Sequence, residues 1–176
     1  VTAVDSNART VTLKSGATRH YDRLLVATGS RPLAPPIPGM DSPNVHSCWT
    51  LDDARHIHGL AKPGANVLLM GAGFIGCIIL EALAASGANL TVVEMGDRMV
   101  PRMLDQTAGN LLKQWCENKG VKVHTSTRVE SIQANADGTL KASLGNGEVV
   151  DANLIVSATG VRPNIEFLEG TGINTE

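Results

Sequence analysis

Cysteine is scarce in this chain and never paired by motif. Cys48, Cys77 and Cys116 are an odd number, widely spaced, with no C-x-x-C among them. They fit reduced thiols in a cytoplasmic protein better than a disulfide framework, and they offer no redox-active pair within the chain. Long apolar runs are missing too. No stretch approaches the roughly 20 residues that span a bilayer, so a membrane protein is not expected. No cluster of Lys or Arg stands out and the formal net charge is −2, which argues against a nucleic-acid surface. The opening VTAVDSNART has neither a basic start nor an apolar core, so it does not read as a signal peptide. It also lacks Met, and the chain is expected to be a piece cut from a longer protein.

What is present is an ordinary globular composition. The 176 residues are 43% apolar and 18% charged, enough for a sizeable core. The first 28 residues read as short β runs, TVTL at 10–13 and RLLVAT at 23–28, with a turn at Ser15-Gly16. GSRPLAPPIPG at 29–39 holds four of the eight prolines and reads as an extended connector. A short helix should follow, capped by Thr50, boxed by Asp53 and stopped by Pro63-Gly64. His56 and His58, two apart on it, do not share a face, and no metal site is expected.

Next come a strand at 66–70, a helix from Phe74 to Ser86, a strand at 89–94, a helix from near Asp105 to Asn118, and a strand at 121–125. Leu111, Leu112, Trp115 and Cys116 are expected on or near one apolar face of the second of these helices. RVESIQA, GTLKASL and EVVDANLIVSAT are separated by NADG and GNG, which are hairpin turn sequences. The expected fold is therefore α/β, a Rossmann-like parallel βαβαβ sheet with an antiparallel β-meander laid against it.

The most informative stretch is GAGFIG, residues 71–76, directly after the strand NVLLM. G-x-G-x-x-G alone is weak evidence. Here it follows a strand, opens a helix, and is answered by Glu94 at the end of the next strand, 18 residues after Gly76. That is the arrangement of a dinucleotide-binding βαβ unit. Gly71 permits the tight turn, Gly73 lets a pyrophosphate approach the backbone, and Gly76 lets helix and strand pack closely. The helix N-terminus offers N–H groups and partial positive charge to phosphates. Glu94 can accept hydrogen bonds from ribose hydroxyls and would repel a 2′-phosphate, which favours NAD(H) over NADP(H). Arg98 and Arg102 lie nearby in sequence and could take a 2′-phosphate, but are read as solvated or ion-paired.

LLVATGSRP at 24–32 and LIVSATGVRPN at 154–164 are each an apolar run ending in Ala-Thr-Gly, one residue, then Arg-Pro. Together with GAGFIG and TVVE, this pairing resembles the FAD-dependent pyridine nucleotide–disulfide oxidoreductase superfamily over essentially the whole chain. In that family an NAD domain is inserted into an FAD domain. The resemblance implies that residues 1–42 are a partial FAD-domain segment and Pro-rich connector. Residues 43–163 would then be the NAD-binding domain, and 164–176 a return segment towards the FAD domain.

It further implies that Gly71, Gly73, Phe74, Ile75 and Gly76 form the pyrophosphate loop, that Glu94 is the ribose acid, and that Gly160 lies near the nicotinamide. Thr28, Gly29 and Arg31 would lie near FAD. One position departs from the pattern: many relatives carry Glu two residues after the third glycine, where this chain has Ile78, and Glu81 is no obvious substitute. Cys77 beside it reads as a packed thiol.

The implied cofactors are NAD and, in the full-length protein, FAD. The implied reaction is hydride transfer from NADH to flavin and onward delivery of electrons to an acceptor, with no catalytic residue and no metal in this portion. The expected partners are NADH, a redox partner protein and, for the full-length protein, a second copy of itself. One rival reading is a non-catalytic NAD-binding or sensing module of the same fold, towards which Ile78 alone leans; a second is a stand-alone NAD-dependent dehydrogenase without flavin, but no catalytic His, Lys or Tyr arrangement is visible after residue 164. The chain by itself is expected to be inactive, because most of a flavin site would lie outside it.

Overall fold

A computed structural model describes residues 1–175. Glu176, the last residue of the expected return segment, lies outside the described residues. The chain divides into two compact units, residues 1–31 with 161–175, and residues 32–160.

The first unit begins with an antiparallel meander of β1 (Ala3–Asp5), β2 (Thr10–Thr12) and β3 (Thr18–His20). Its first turn is closed by Asp5, whose Oδ1 accepts from the backbone N–H groups of Asn7 and Ala8 at 2.9 and 2.8 Å. This is an Asx turn of the kind short polar side chains form. The run RLLVAT is not a strand, contrary to expectation. Leu24 to Gly29 is irregular, and Leu25 is 88% exposed. Apolar, β-prone residues become a strand only beside a partner, and this run has none among the described residues. The strand comes later, β4 (Ser30–Pro32), inside the stretch read as connector.

The second unit starts with β5 (Val45–Ser47), a strand the sequence did not announce. Helix α1 (Leu51–Leu60) follows with the expected cap: Thr50 Oγ1 accepts from Asp53 N, and the Asp53 carboxylate accepts from Thr50 N. Then come β6 (Asn66–Met70), α2 (Phe74–Ala85), β7 (Asn89–Val93), α3 (Gln106–Asn118) and β8 (Lys122–His124). The meander is β9 (Val129–Ala134), β10 (Leu140–Leu144) and β11 (Val149–Ala152), all antiparallel. The run EVVDANLIVSAT was expected to belong to it whole, but it breaks at Asn153. That residue's N–H donates to Asn66 O at 2.7 Å while its side-chain oxygen accepts from Asn66 N at 2.8 Å. Beyond this double link, β12 (Leu154–Ser157) enters the parallel sheet.

The parallel sheet has the order β5-β12-β6-β7-β8, and β6 pairs with β7 in parallel from Asn66↔Asn89 to Met70↔Val93. Its three central strands, β12, β6 and β7, are buried on both faces, which is why they read as continuous apolar runs. Val67, Leu69, Leu90, Val92, Leu154 and Val156 join the core under the helices. The alternate residues Leu68, Met70, Val93 and Ile155 pack against the meander. On α3, Cys116 is buried and Leu112 partly so, but Leu111 and Trp115 stand exposed, the latter beneath Lys119 Nζ at 5.9 Å. The expected single apolar face is narrower than the residue types suggested.

After Gly160 the chain is again in the first unit. β13 (Val161–Pro163) pairs with β4, and a short 3₁₀ turn spans Glu166–Leu168.

Candidate functional site

The glycine loop sits between β6 and α2, and its three glycines have three different reasons to lack a side chain. Gly71 has φ +96°, and a Cβ there would lie 2.6 Å from Ala158 O. A Cβ on Gly76 would lie 2.1 Å from Gly71 O. These two are fixed by the protein's own packing. Gly73 is different: its backbone is extended, and a Cβ there would meet nothing within 4 Å. Its bareness serves no internal contact. It leaves backbone open at the first turn of α2, where no side chain caps the helix and no acid stands. Such an end presents N–H donors and partial positive charge outward.

Glu94 follows the C-terminal end of β7 and is wired to this loop. Its Oε2 accepts from Ala72 N at 2.7 Å and its Oε1 from Gly96 N at 2.7 Å. Its own backbone is stitched to the segment after β8, with Glu94 N donating to His124 O and Glu94 O accepting from Thr127 N. One carboxylate is thus held at the glycine loop with spare lone pairs, since each oxygen can accept more than one hydrogen bond.

Of the residues singled out from sequence, Gly71, Gly73, Phe74, Ile75, Gly76 and Glu94 form this one cluster. Phe74 and Ile75 are exposed on the first turn of α2. Gly160, with φ +121° and open space at its missing side chain, follows Ala158-Thr159, which packs against Gly71. Gly160 O accepts from Leu33 N at 2.9 Å.

Thr28, Gly29 and Arg31 belong to the other unit and gather there around Asn164. Thr28 Oγ1 donates to Asn164 O at 2.6 Å, Asn164 N donates to Gly29 O at 2.9 Å, and Arg31 Nη1 donates to Asn164 Oδ1 at 2.7 Å. Arg31 also pairs with Glu166, whose carboxyl it holds down at about 2 through that hydrogen bond.

Ile78 is exposed on α2, and Glu81 is exposed one turn on. Cys77 is partly buried with Sγ 3.6 Å from Ala72 O. Burial first, then Cys116 and Glu94, push its thiol up to about 11. A thiol that stays protonated at neutral pH is a packed group rather than a nucleophile. Arg98 is not free to greet a ligand, because its guanidinium is spent within its own loop. Arg102 is exposed.

Sequence reasoning missed Ala72. It is an unspecified position of the motif, yet its N–H is the contact that joins Glu94 to the loop, and it is fully buried. Only its small size hinted at this.

Comparison with known proteins fits this geometry. The family model described as pyridine nucleotide-disulphide oxidoreductase matches residues 1–176. The epsilon subunit of an NADH-dependent phenylglyoxylate dehydrogenase from Aromatoleum evansii is 35% identical over 97% of this chain and 40% of its own length. A solved NAD-dependent persulfide reductase from A. fulgidus is 37% identical with a TM-score of 0.85, over 98% of this chain and 32% of that one. A water-forming NADH oxidase from Lactobacillus brevis, solved bound to NADH, is 31% identical with a TM-score of 0.83, over 96% and 38%. The chain spans two fifths or less of the length of each of these relatives.

Proposed function

The chain belongs to the pyridine nucleotide-disulphide oxidoreductase family, and from that premise we propose that it is the NAD(H)-binding portion of a flavoprotein oxidoreductase. The observation that carries this is the pairing of an open Gly73 with a loop-anchored Glu94. The backbone of Gly73 to Gly76 would take the pyrophosphate, with Phe74 and Ile75 beside it. Glu94 would accept from the ribose hydroxyls and repel a 2′-phosphate, giving preference for NADH over NADPH. Gly160 would border the nicotinamide.

Residues 43–163 are on this reading the NAD-binding domain. Residues 1–42 are a partial FAD-domain segment, with Thr28, Gly29 and Arg31 on its flavin side, and a Pro-rich connector, and 164–176 are a return segment towards that domain. FAD, when bound, would supply the acceptor for the hydride of NADH, so the chemistry would be the cofactors' own. The chain's residues bind and orient, and none of them needs to move a proton. Electrons would then leave for an acceptor outside the chain: an electron-transfer protein, a nitrite-type centre, oxygen or a disulfide. The relatives named above are an oxidase, a reductase and a dehydrogenase subunit, and nothing among them supports a non-catalytic sensing module.

The test is Gly73→Val. Because a Cβ there meets nothing within 4 Å and the backbone is extended, the variant should unfold at the parent's temperature and yet lose NADH binding at least about tenfold, read by the fluorescence of bound NADH. Parent-like binding by a folded Gly73→Val would rule out the glycine loop as the dinucleotide cradle.

A further inference from the structure

The loop between β7 and α3 contains a backbone outlier with no role in the reading above. Val100 has φ +49°, a left-handed conformation that a β-branched residue adopts only under constraint. It is buried, and in this conformation its N–H donates to Ala72 O at 2.8 Å. The Ala72 residue is therefore gripped twice, its N–H by Glu94 and its C=O by Val100.

Val100 O accepts from Met103 N and Leu104 N, both at 3.0 Å, and the turn so closed is tied to its upstream side by Arg98. Its Nε donates to Leu104 O at 2.9 Å and its Nη2 to Pro101 O at 3.3 Å, while Nη1 reaches Asp97 Oδ1 at 2.6 Å and Gln106 Oε1 at 3.3 Å. One planar guanidinium thus stitches both sides of Val100 together, a task its fixed fork of donors suits and a lysine ammonium does not. Two glycines make room for this arrangement, one beside Arg98 and one beside Pro101. At Gly109, inside α3, a Cβ would lie 2.9 Å from Arg98 Cβ and Cδ. At Gly96 a Cβ would lie 2.8 Å from the Pro101 ring and 3.1 Å from Glu94 Oε1, so the Pro101 turn that Arg98 holds roofs the residue whose N–H orients Glu94.

We propose that Arg98 is a positioning residue for nucleotide choice. By bracing residues 97–106 it holds Val100 on the glycine loop and Gly96 on Glu94, and so fixes the carboxylate that discriminates a ribose 2′-hydroxyl from a 2′-phosphate. This rests on the reading that the glycine loop binds NAD(H). Arg98 touches no ligand itself; it acts through Ala72 and Glu94.

The experiment is calorimetric titration of the whole chain and its Arg98→Ala, Arg98→Lys and Arg98→Ala/Val100→Gly variants with NADH and with NADPH. Arg98→Ala should weaken NADH about tenfold, the scale of one lost charge-assisted hydrogen bond, and bring the NADH-to-NADPH affinity ratio towards one. Arg98→Lys should lie between it and the parent. Adding Val100→Gly, which adopts the left-handed backbone without constraint, should restore part of the ratio. A fall in affinity for both nucleotides with an unchanged ratio would overturn the proposal, as would parent-like binding by both single variants. Should Arg98→Ala fail to fold, the ratio measured for Arg98→Lys decides alone: a fall supports the proposal and parity with the parent overturns it. A parent that binds neither nucleotide would sink the reading beneath the proposal, a result distinct from any change among variants.

Discussion

Two stretches of this chain are nearly the same word with different fates. Leu24-Leu25-Val26-Ala27-Thr28-Gly29 and Leu154-Ile155-Val156-Ser157-Ala158-Thr159-Gly160 each end in Ala-Thr-Gly and lead to Arg-Pro two residues on. The second is a central strand with parallel neighbours on both sides, and Leu154, Ile155 and Val156 are fully buried. The first is irregular, and its Leu25 is almost wholly exposed. Composition sets what a segment is able to become. Neighbours that hydrogen-bond its backbone and cover its side chains decide whether it does.

The largest expected difference between them is in stability. Leu154→Ala should cost about 2–5 kcal/mol, because a fully enclosed side chain leaves a cavity. Leu25→Ala should change stability by less than about 0.5 kcal/mol. Chemical denaturation of the two variants side by side checks this, and equal costs would break the comparison.

A smaller contrast concerns two glycines that both have positive φ. Gly29, at φ +67°, has open space beside it, so Gly29→Ala should cost only the left-handed backbone, about 1 kcal/mol. Gly71, at φ +96°, packs against the Ala158 carbonyl of the second Ala-Thr-Gly turn. Gly71→Ala should therefore cost roughly 3 kcal/mol, backbone strain plus overpacking. Thermal unfolding midpoints of the pair would reveal equal effects if this packing were unimportant.

The gentlest probe is pH. His46, on β5, pairs with Val156 of the second stretch, and its Nε2 is buried without a partner among the described residues. Its ring stands 4.7 Å from that of His56. Burial first, then His56, lower its pKa, with Asp53 opposing. A folded pKa below the unfolded one means the unfolded chain takes up the proton first. Stability from neutral His46 is therefore present above the ordinary histidine value near 6.5 and lost as pH falls through the lower folded value.

Near the first stretch the acid response sits elsewhere. Glu166, held at about 2 by Arg31, keeps its charge until far lower pH, so that contact should persist when the His46 side has weakened. The melting midpoint should drop as pH falls below about 6.5, and His46→Gln should flatten the drop. A His46→Gln profile that parallels the parent's would place the titrating group elsewhere.

The same contrast explains what could be read in advance. The glycine loop was legible because its signals are local: a strand run, three glycines at fixed spacing, a helix and an acid. The cap at Thr50 and Asp53 is equally local, and it formed as read. The misreadings were all questions of partnership. Nothing within RLLVAT says that it lacks a neighbour, and nothing within VHS says that β5 will find one in β12. The break at Asn153 depends on a hydrogen-bond exchange with Asn66, 87 residues away. Leu111 and Trp115 are apolar at helical spacing, but only the packed fold shows which of those neighbours α3 turns inward. Ala72 and Val100 escaped, and Arg98 was read only as solvated or ion-paired, because their contacts with the backbone are ones that no motif spells.

The central claim is that the glycine loop and Glu94, rather than the Thr28–Arg31 cluster, receive the nicotinamide dinucleotide. The most direct test is to follow the backbone amide resonances of the chain while NADH is added. The amides of Gly71 to Gly76 and of Glu94 to Gly96 should shift most and saturably, while those of Thr28 to Arg31 stay in place. Shifts concentrated at Thr28 to Arg31, or a glycine loop that does not respond at saturating NADH, would contradict it.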